Sequence, residues 1–159
     1  MSDPRREMTR HVLATLAYRA GKAVRGAPEG FAEFEPAPGS RPPVRILAHM
    51  GDLMEWAWHL ARGEKVWNDA EPLPWDEEVA RFFAALERLD ALIASDEPLA
   101  APLERLFQGP LADALTHVGQ ITQLRRLAGS PIKGENYFRA EIVAGRVGVD
   151  QTPPRREFD

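Results

Sequence analysis

The segment Leu111–Gly129, LADALTHVGQITQLRRLAG, carries apolar residues at helical spacing and indicates both a fold class and a site. Two ionisable residues, Asp113 and His117, lie within its apolar stripe. They are separated by one turn and by about 40° around the helix axis, so both side chains project to the same side. Because a buried charge is costly unless it is paired or metal-bound, this helix predicts more than a plain core face.

Three other amphipathic helices precede this segment, which itself is predicted to be helical from Pro110 to Gly129. The first begins at Asp3-Pro4 and ends before Gly26, where an aspartate cap and an early proline mark the start. The second is VRILAHMGDLMEWAWHLARG, closed by Gly63, and the third runs from Trp75 to about Ser95. No stretch alternates with the period of a strand. The sequence therefore predicts an all-α fold, a four-helix bundle.

The regions outside these helices are rich in proline and glycine. Phe31 and Phe34 indicate that part of the first long loop packs on the core. Asn136 is predicted to cap a short C-terminal helix, YFRAEIVAG, and residues from about 146 to 159 are predicted to form an extended tail. A chain of 159 residues is long enough for one substantial core, so a single domain over residues 1–159 is expected.

Composition excludes several classes of function. The net charge of −4 leaves no positive field to hold nucleic acid or anionic lipid, and no apolar run reaches the roughly 20 residues that span a bilayer. The chain has no cysteine, which excludes disulfides, thiolate ligands and a cysteine nucleophile. The N-terminus lacks the apolar stretch of a signal peptide, so a cytoplasmic location is expected.

The histidines differ in their predicted orientation. His49 lies at the edge of the core-facing arc of the second helix, with Trp56 beside it as a potential pocket wall. His11 and His59 fall on polar faces. Together with Asp113 and His117, His49 could form a facial set of two imidazoles and one carboxylate that leaves positions for water or substrate on a divalent metal. A structural Asp–His hydrogen bond is the alternative that these residues leave open.

The two tyrosines are weaker candidates for acid–base or substrate-contact roles. Tyr18 is placed on the non-core side of the first helix, and Tyr137 follows the fourth helix. Surface or packing roles are the simpler interpretation for both.

The stretches ILAHMGDLMEWAWHLARG and HVGQITQLRRLAGSP resemble the DinB/YfiT-like family of small four-helix proteins, over the chain from about Glu7 to Pro131. Members of that family place a metal-binding histidine on the second helix, which His49 matches. They place a His-x-x-x-His pair on the fourth helix, followed by Arg-Gly-Gln and then Leu-Arg before a glycine. The Gly119-Gln120 and Leu124-Arg125 anchors identify His117 as the second histidine of that pair.

Two positions depart from the family pattern. Asp113 stands where the first histidine of the pair is expected, and Val118 stands where the arginine is expected. A carboxylate in place of an imidazole shifts preference toward harder ions such as Mn or Fe. The same exchange is also compatible with a scaffold that has lost its metal.

The resemblance implies a metal-dependent hydrolase or a transferase acting on low-molecular-weight thiols. The expected cofactor is a divalent metal (Zn, Ni, Mn or Fe) held by His49, Asp113 and His117, with an unknown small-molecule substrate. The expected partner is a second copy of the chain in a homodimer. Binding to nucleic acid or to a membrane is not expected. The alternative from another class is a non-catalytic binding or dimerisation module in which Asp113 and His117 form a structural pair.

Overall fold

A computed structural model describes residues 3–159; Met1 and Ser2, the first two residues of the predicted domain, lie outside it. Most of this part of the chain is helical, which confirms the all-α class. The helices are α1 (Pro4–Val24), α2 (Pro43–Ala61), α3 (Trp75–Ala94), α4 (Leu103–Leu106) and α5 (Ala112–Leu127), with 3₁₀ turns at Phe31–Glu33 and Tyr137–Arg139.

The four long helices are α1, α2, α3 and α5. Helix α3 contacts α1 and α2, and α5 contacts the same two helices. Their apolar stripes enclose one main core, whose largest fully buried side chains include Leu13, Leu16, Leu47, Met50, Phe82, Leu86 and Leu111. Within residues 3–159, no helix combines the length and the apolar character that crossing a bilayer requires.

The start of the last long helix differs from the prediction. Helical backbone begins at α4 and continues through a π-helical segment, Phe107–Leu111, into α5. Pro110 lies inside this segment. A proline lacks the N–H of the regular ladder and its ring clashes with the carbonyl four residues earlier, and a wider π turn accommodates both defects. The sequence predicted a helix that begins only at Pro110, because proline rarely lies inside a helix.

The C-terminal segment is not a helix followed by a free tail. The predicted helix after Asn136 is wrong: only the 3₁₀ turn Tyr137–Arg139 forms, and the Asn136 side chain makes no capping hydrogen bond. Instead, β1 (Gly134–Glu135) pairs antiparallel with β2 (Glu157–Phe158). The Phe158 ring lies so close to Gly134 that an added Cβ would be 2.6 Å from it, so a larger residue at this position would displace the ring.

This pairing covers a side of α1 that the sequence placed outside the core. Tyr18 is 3% exposed, and its hydroxyl donates to Glu135 Oε2 at 2.6 Å. Lys22 Nζ donates to Glu135 Oε1 at 2.6 Å and lies 3.4 Å from Glu157 Oε1. Burial, and then the bond to Glu135, raises the pKa of the Tyr18 phenol. The non-core assignment of Tyr18 is wrong because residues more than a hundred positions away cover it.

A second buried polar group joins the C-terminal ends of α1 and α5. Arg125 is 5% exposed and donates to the backbone carbonyls of Ala23, Arg25, Gly26 and Ser130. The first three carbonyls lie at the end of α1 or just after it, and that of Ser130 follows α5; helix ends have unpaired acceptors and negative partial charge. Desolvation lowers the pKa of the guanidinium. Arg125 therefore acts as a clamp between two helix ends.

Part of the first long loop packs on the core, as the sequence predicted from Phe31 and Phe34, and Phe31 also lies beside Arg125. The ring of Phe31 is 1% exposed and meets the edge of Trp75 at 5.5 Å between centroids. It also lies 5.8 Å from the Arg125 guanidinium carbon. Phe34 packs partly buried against the core.

Candidate metal centre

Helices α2 and α5 bring His49, Asp113 and His117 to one place. Asp113 Oδ2 lies 3.4 Å from His49 Nε2, and Asp113 Oδ1 lies 3.3 Å from His117 Nε2. The two imidazole rings meet edge to face, with centroids 4.9 Å apart. One ligand atom from each residue falls within 4.8 Å of the others, so the group could hold a metal ion.

The three side chains differ in exposure. The side chain of His117 is 11% exposed, that of His49 27% and that of Asp113 47%. The expectation that all three point into the core is therefore wrong for Asp113, which lies at the mouth of a groove between α2 and α5. The reason is that Asp113 lines an open groove together with Leu53 and Trp56 of α2, so that solvent reaches its carboxylate. The cluster consequently has a dry side and a side open to solvent.

Gln120 determines which nitrogen of His117 faces the cluster. His117 Nδ1 lies 2.7 Å from Gln120 Oε1, a carbonyl oxygen that accepts only a proton-bearing nitrogen. In the neutral ring, Nε2 then carries the lone pair that faces Asp113. Two acceptors 3.3 Å apart repel each other unless a proton or a metal cation lies between them. Metal-ligating histidines commonly have such a partner on the other nitrogen.

Two tryptophans wall the groove beside His49. The ring of Trp67, from the connection between α2 and α3, meets the His49 ring at 5.9 Å and the Trp56 ring at 5.7 Å, both edge to face. The sequence indicated Trp56 but not Trp67. Periodicity places residues on helix faces, and a residue in an irregular connection gives no such signal.

A buried ion network holds the neighbouring turn of α2. Arg81 donates to Asp52 Oδ1 at 2.9 Å, to the Ala48 carbonyl at 2.7 Å and to Glu78 Oε2 at 2.8 Å. Burial raises the pKa of Asp52, and the positive charge of Arg81 offsets part of this rise. The guanidinium fills the space above Gly51, where an added Cβ would lie 2.9 Å away. This network fixes the backbone one residue before His49.

The remaining histidines lie elsewhere. His59 Nδ1 lies 2.5 Å from Glu64 Oε2, and this hydrogen bond is the main reason that the pKa of Glu64 is lowered. His11 is exposed, as the sequence predicted. Neither belongs to the cluster of His49, Asp113 and His117.

The donor set has the chemistry that a site for one divalent ion requires. Bonds of about 2.1 Å around a tetrahedral ion place neighbouring donor atoms about 3.4 Å apart. The separations from the Asp113 oxygens to the two imidazole nitrogens, 3.3 and 3.4 Å, are close to that spacing; each involves a different oxygen, and the set of three ligand atoms spans up to 4.8 Å.

Comparison with known proteins adds one partial similarity. The chain is 36% identical over 86 residues to a protein of Nocardioides sp. named "Putative glutamate--cysteine ligase 2-3". The aligned region covers 48% of this chain and only 22% of that relative. No family model matches the chain, and no solved structure matches it. The class that the described residues define is thus an all-α protein with a possible metal site.

Proposed function

We propose that this protein is a four-helix-bundle metalloenzyme of the DinB/YfiT-like type, with a divalent metal held by His49, Asp113 and His117. The observation that carries this proposal is the convergence of three donors from two helices within 4.8 Å. The set leaves coordination positions on the solvent side, next to the half-exposed Asp113, as catalytic sites require and closed structural sites do not.

The chain's own residues would prepare the site for this chemistry. Gln120 holds the His117 ring so that Nε2 faces the metal position, and Trp67 shields one side of His49 from water. The Arg81 network keeps the adjacent backbone of α2 in place. A bound divalent metal would supply Lewis acidity, which lowers the pKa of a water or a thiol and yields a nucleophile near neutral pH.

The proposed activity is hydrolysis or transfer to a low-molecular-weight thiol. The name of the partial relative contains cysteine, which is such a thiol, and this makes cysteine the first thiol to assay. The ligase activity in that name does not extend to this chain, because the aligned region covers less than a quarter of the relative. The resemblance also implies a homodimer, which light scattering after size-exclusion chromatography tests.

Metal content of a tag-free preparation tests the proposal directly. Mass spectrometry should find stoichiometric metal in the wild type and in His59→Ala, a matched variant on the same helix whose histidine pairs with Glu64. His49→Ala and His117→Ala should both lose it. A wild type that binds no added Zn, Ni, Mn or Fe would contradict the proposal.

The second candidate is a non-catalytic module in which a protonated imidazole pairs with Asp113. It is supported by the contacts of both imidazoles with the same carboxylate. In that case Asp113→Asn should lower stability while metal content is nil in wild type and variant alike.

A further inference from the structure

A second groove lies between α1 and α5 and involves none of the proposed metal ligands. It has a volume of about 470 Å³ and is lined by Thr15, Arg19, Val118, Gly119, Thr122 and Tyr137, with Leu115 beside them. We call it the Arg19 groove. Its lining combines an apolar floor, two threonine hydroxyls, a tyrosine ring and one cation.

Arg19 is a cation without an anion. Among residues 3–159, no carboxylate lies within ion-pair distance of its guanidinium and none of its N–H groups has a hydrogen-bond partner; the Nε nitrogen is itself buried. The nearby carboxylate of Glu135 is already engaged by Tyr18 and Lys22. Buried donors are almost always satisfied, so an orphaned guanidinium N–H indicates a missing acceptor.

The orientation of Arg19 is set by aromatic stacking. Its guanidinium carbon lies 3.9 Å from the centroid of the Tyr137 ring. Tyr137 in turn meets the edge of Tyr18 at 6.2 Å, and the Tyr18 hydroxyl is bonded to Glu135. Stacking uses the face of the guanidinium and leaves the N–H groups along its edges for a planar acceptor such as a carboxylate.

The opposite wall of the groove comes from α5. An added Cβ at Gly119 would meet nothing within 4 Å, so the groove is open at this position. The Thr15 hydroxyl donates to the His11 carbonyl, whereas the Thr122 hydroxyl has no partner in the described part of the chain and can donate to a ligand. Leu115 and Val118 supply the apolar surface that a hydrocarbon body would cover.

We infer that the Arg19 groove binds a small organic carboxylate with an apolar body. The carboxylate accepts from the edge of the Arg19 guanidinium and from Thr122, and the apolar body lies on Leu115 and Val118. This site is separate from the metal centre, because it faces α1 and the metal ligands face α2.

Benzoate is a suitable probe, and NMR of the full-length chain can follow it. Titration should shift the Arg19 Nε–H resonance in a saturable manner, with a Kd of about 1 mM or tighter. Benzamide, which has the same shape without the charge, should bind at least about tenfold more weakly, since bonds to charged groups are the stronger ones. A titration with no saturable shift up to about 10 mM benzoate would overturn the inference.

Four variants locate the binding. Arg19→Gln should weaken benzoate binding by about tenfold or more, whereas Arg88→Gln, which removes another arginine stacked on an aromatic ring, should not. Gly119→Leu should fill the groove and abolish binding while Arg19 remains, and its helical position favours folding. His117→Ala should bind benzoate normally, which separates this site from the metal proposal. Equal affinity in Arg19→Gln and wild type would refute the carboxylate site.

Discussion

Helix α5 carries two polar groups on its inner side, and they are partnered in different ways. Near its C-terminal end, the guanidinium of Arg125 is buried and surrounded by backbone carbonyls that accept its protons. Two turns earlier, His117 contacts Gln120 through Nδ1, and its Nε2 lies 3.3 Å from the carboxylate of Asp113, which also lies beside His49. A saturated buried group serves the fold, whereas converging acceptors indicate a bound cation or proton.

The largest expected effect is a loss of stability when Arg125, whose N–H groups are hydrogen-bonded to carbonyls, is replaced. Arg125→Met should reduce the free energy of unfolding by about 3–5 kcal/mol, because several carbonyls at the end of α1 lose their donor. Arg126→Met, the exposed neighbour, should change it by less than about 0.5 kcal/mol. Urea unfolding measures both. Similar losses in the two variants would remove Arg125 from its role as a clamp.

The stabilisation of the protein by metal bound at His117 should be slightly smaller. Metal at about one hundred times its Kd should stabilise the wild type by about 2.7 kcal/mol, which corresponds to a rise in Tm of roughly 5–10 °C. The rise should vanish in His117→Ala and shrink below about pH 6, where protons compete for imidazole nitrogen. Arg125→Lys should keep the metal-dependent rise in Tm despite a lower starting Tm. If metal leaves the Tm of the wild type unchanged, then His117 binds no metal, and both polar groups of α5 have only structural roles.

A third test concerns the orientation of His117. Gln120→Leu should weaken metal binding by about 10- to 100-fold, since the side chain that holds the His117 ring is lost. Stability without metal should stay near that of the wild type, because Gln120 is exposed. Gln123→Leu, an equally exposed position on the same helix, is the matched control. Isothermal titration with Mn²⁺ and Zn²⁺ measures the three affinities; an unchanged affinity in Gln120→Leu would show that Gln120 does not orient the ligand.

The smallest effect is expected at Asp52, a saturated carboxylate three residues from His49. Its pKa lies above the ordinary value of 3.8, chiefly through burial, so its contribution to stability is present at low pH and is lost as pH rises through the raised pKa. Asp52→Asn should therefore gain stability relative to the wild type as pH rises from about 4 to 7, by less than about 1 kcal/mol. Unfolding curves across this range measure it. A difference that falls with rising pH would contradict the assignment.

The candidate site could be predicted only in part. Helical periodicity and the resemblance together select His49, Asp113 and His117, because all three lie on helices whose faces can be assigned. The contact between Gln120 and His117 could be predicted from helical spacing, since a residue three positions after His117 is its neighbour on the helix surface. Trp67 and Arg19 gave no comparable signal: one lies in an irregular connection, and the other gains its importance from Tyr137, far away in sequence.

The amino-acid sequence by itself determined the helical class and nearly all bounds of the long helices, because apolar spacing, caps and proline positions act within a few residues. The tertiary structure alone decided what covers each helix. It buried Tyr18 beneath β1 and β2, placed Asp113 at the rim of a groove, and carried the helix through Pro110 as a π turn. Such outcomes depend on contacts between distant segments, and local patterns contain no information about their partners.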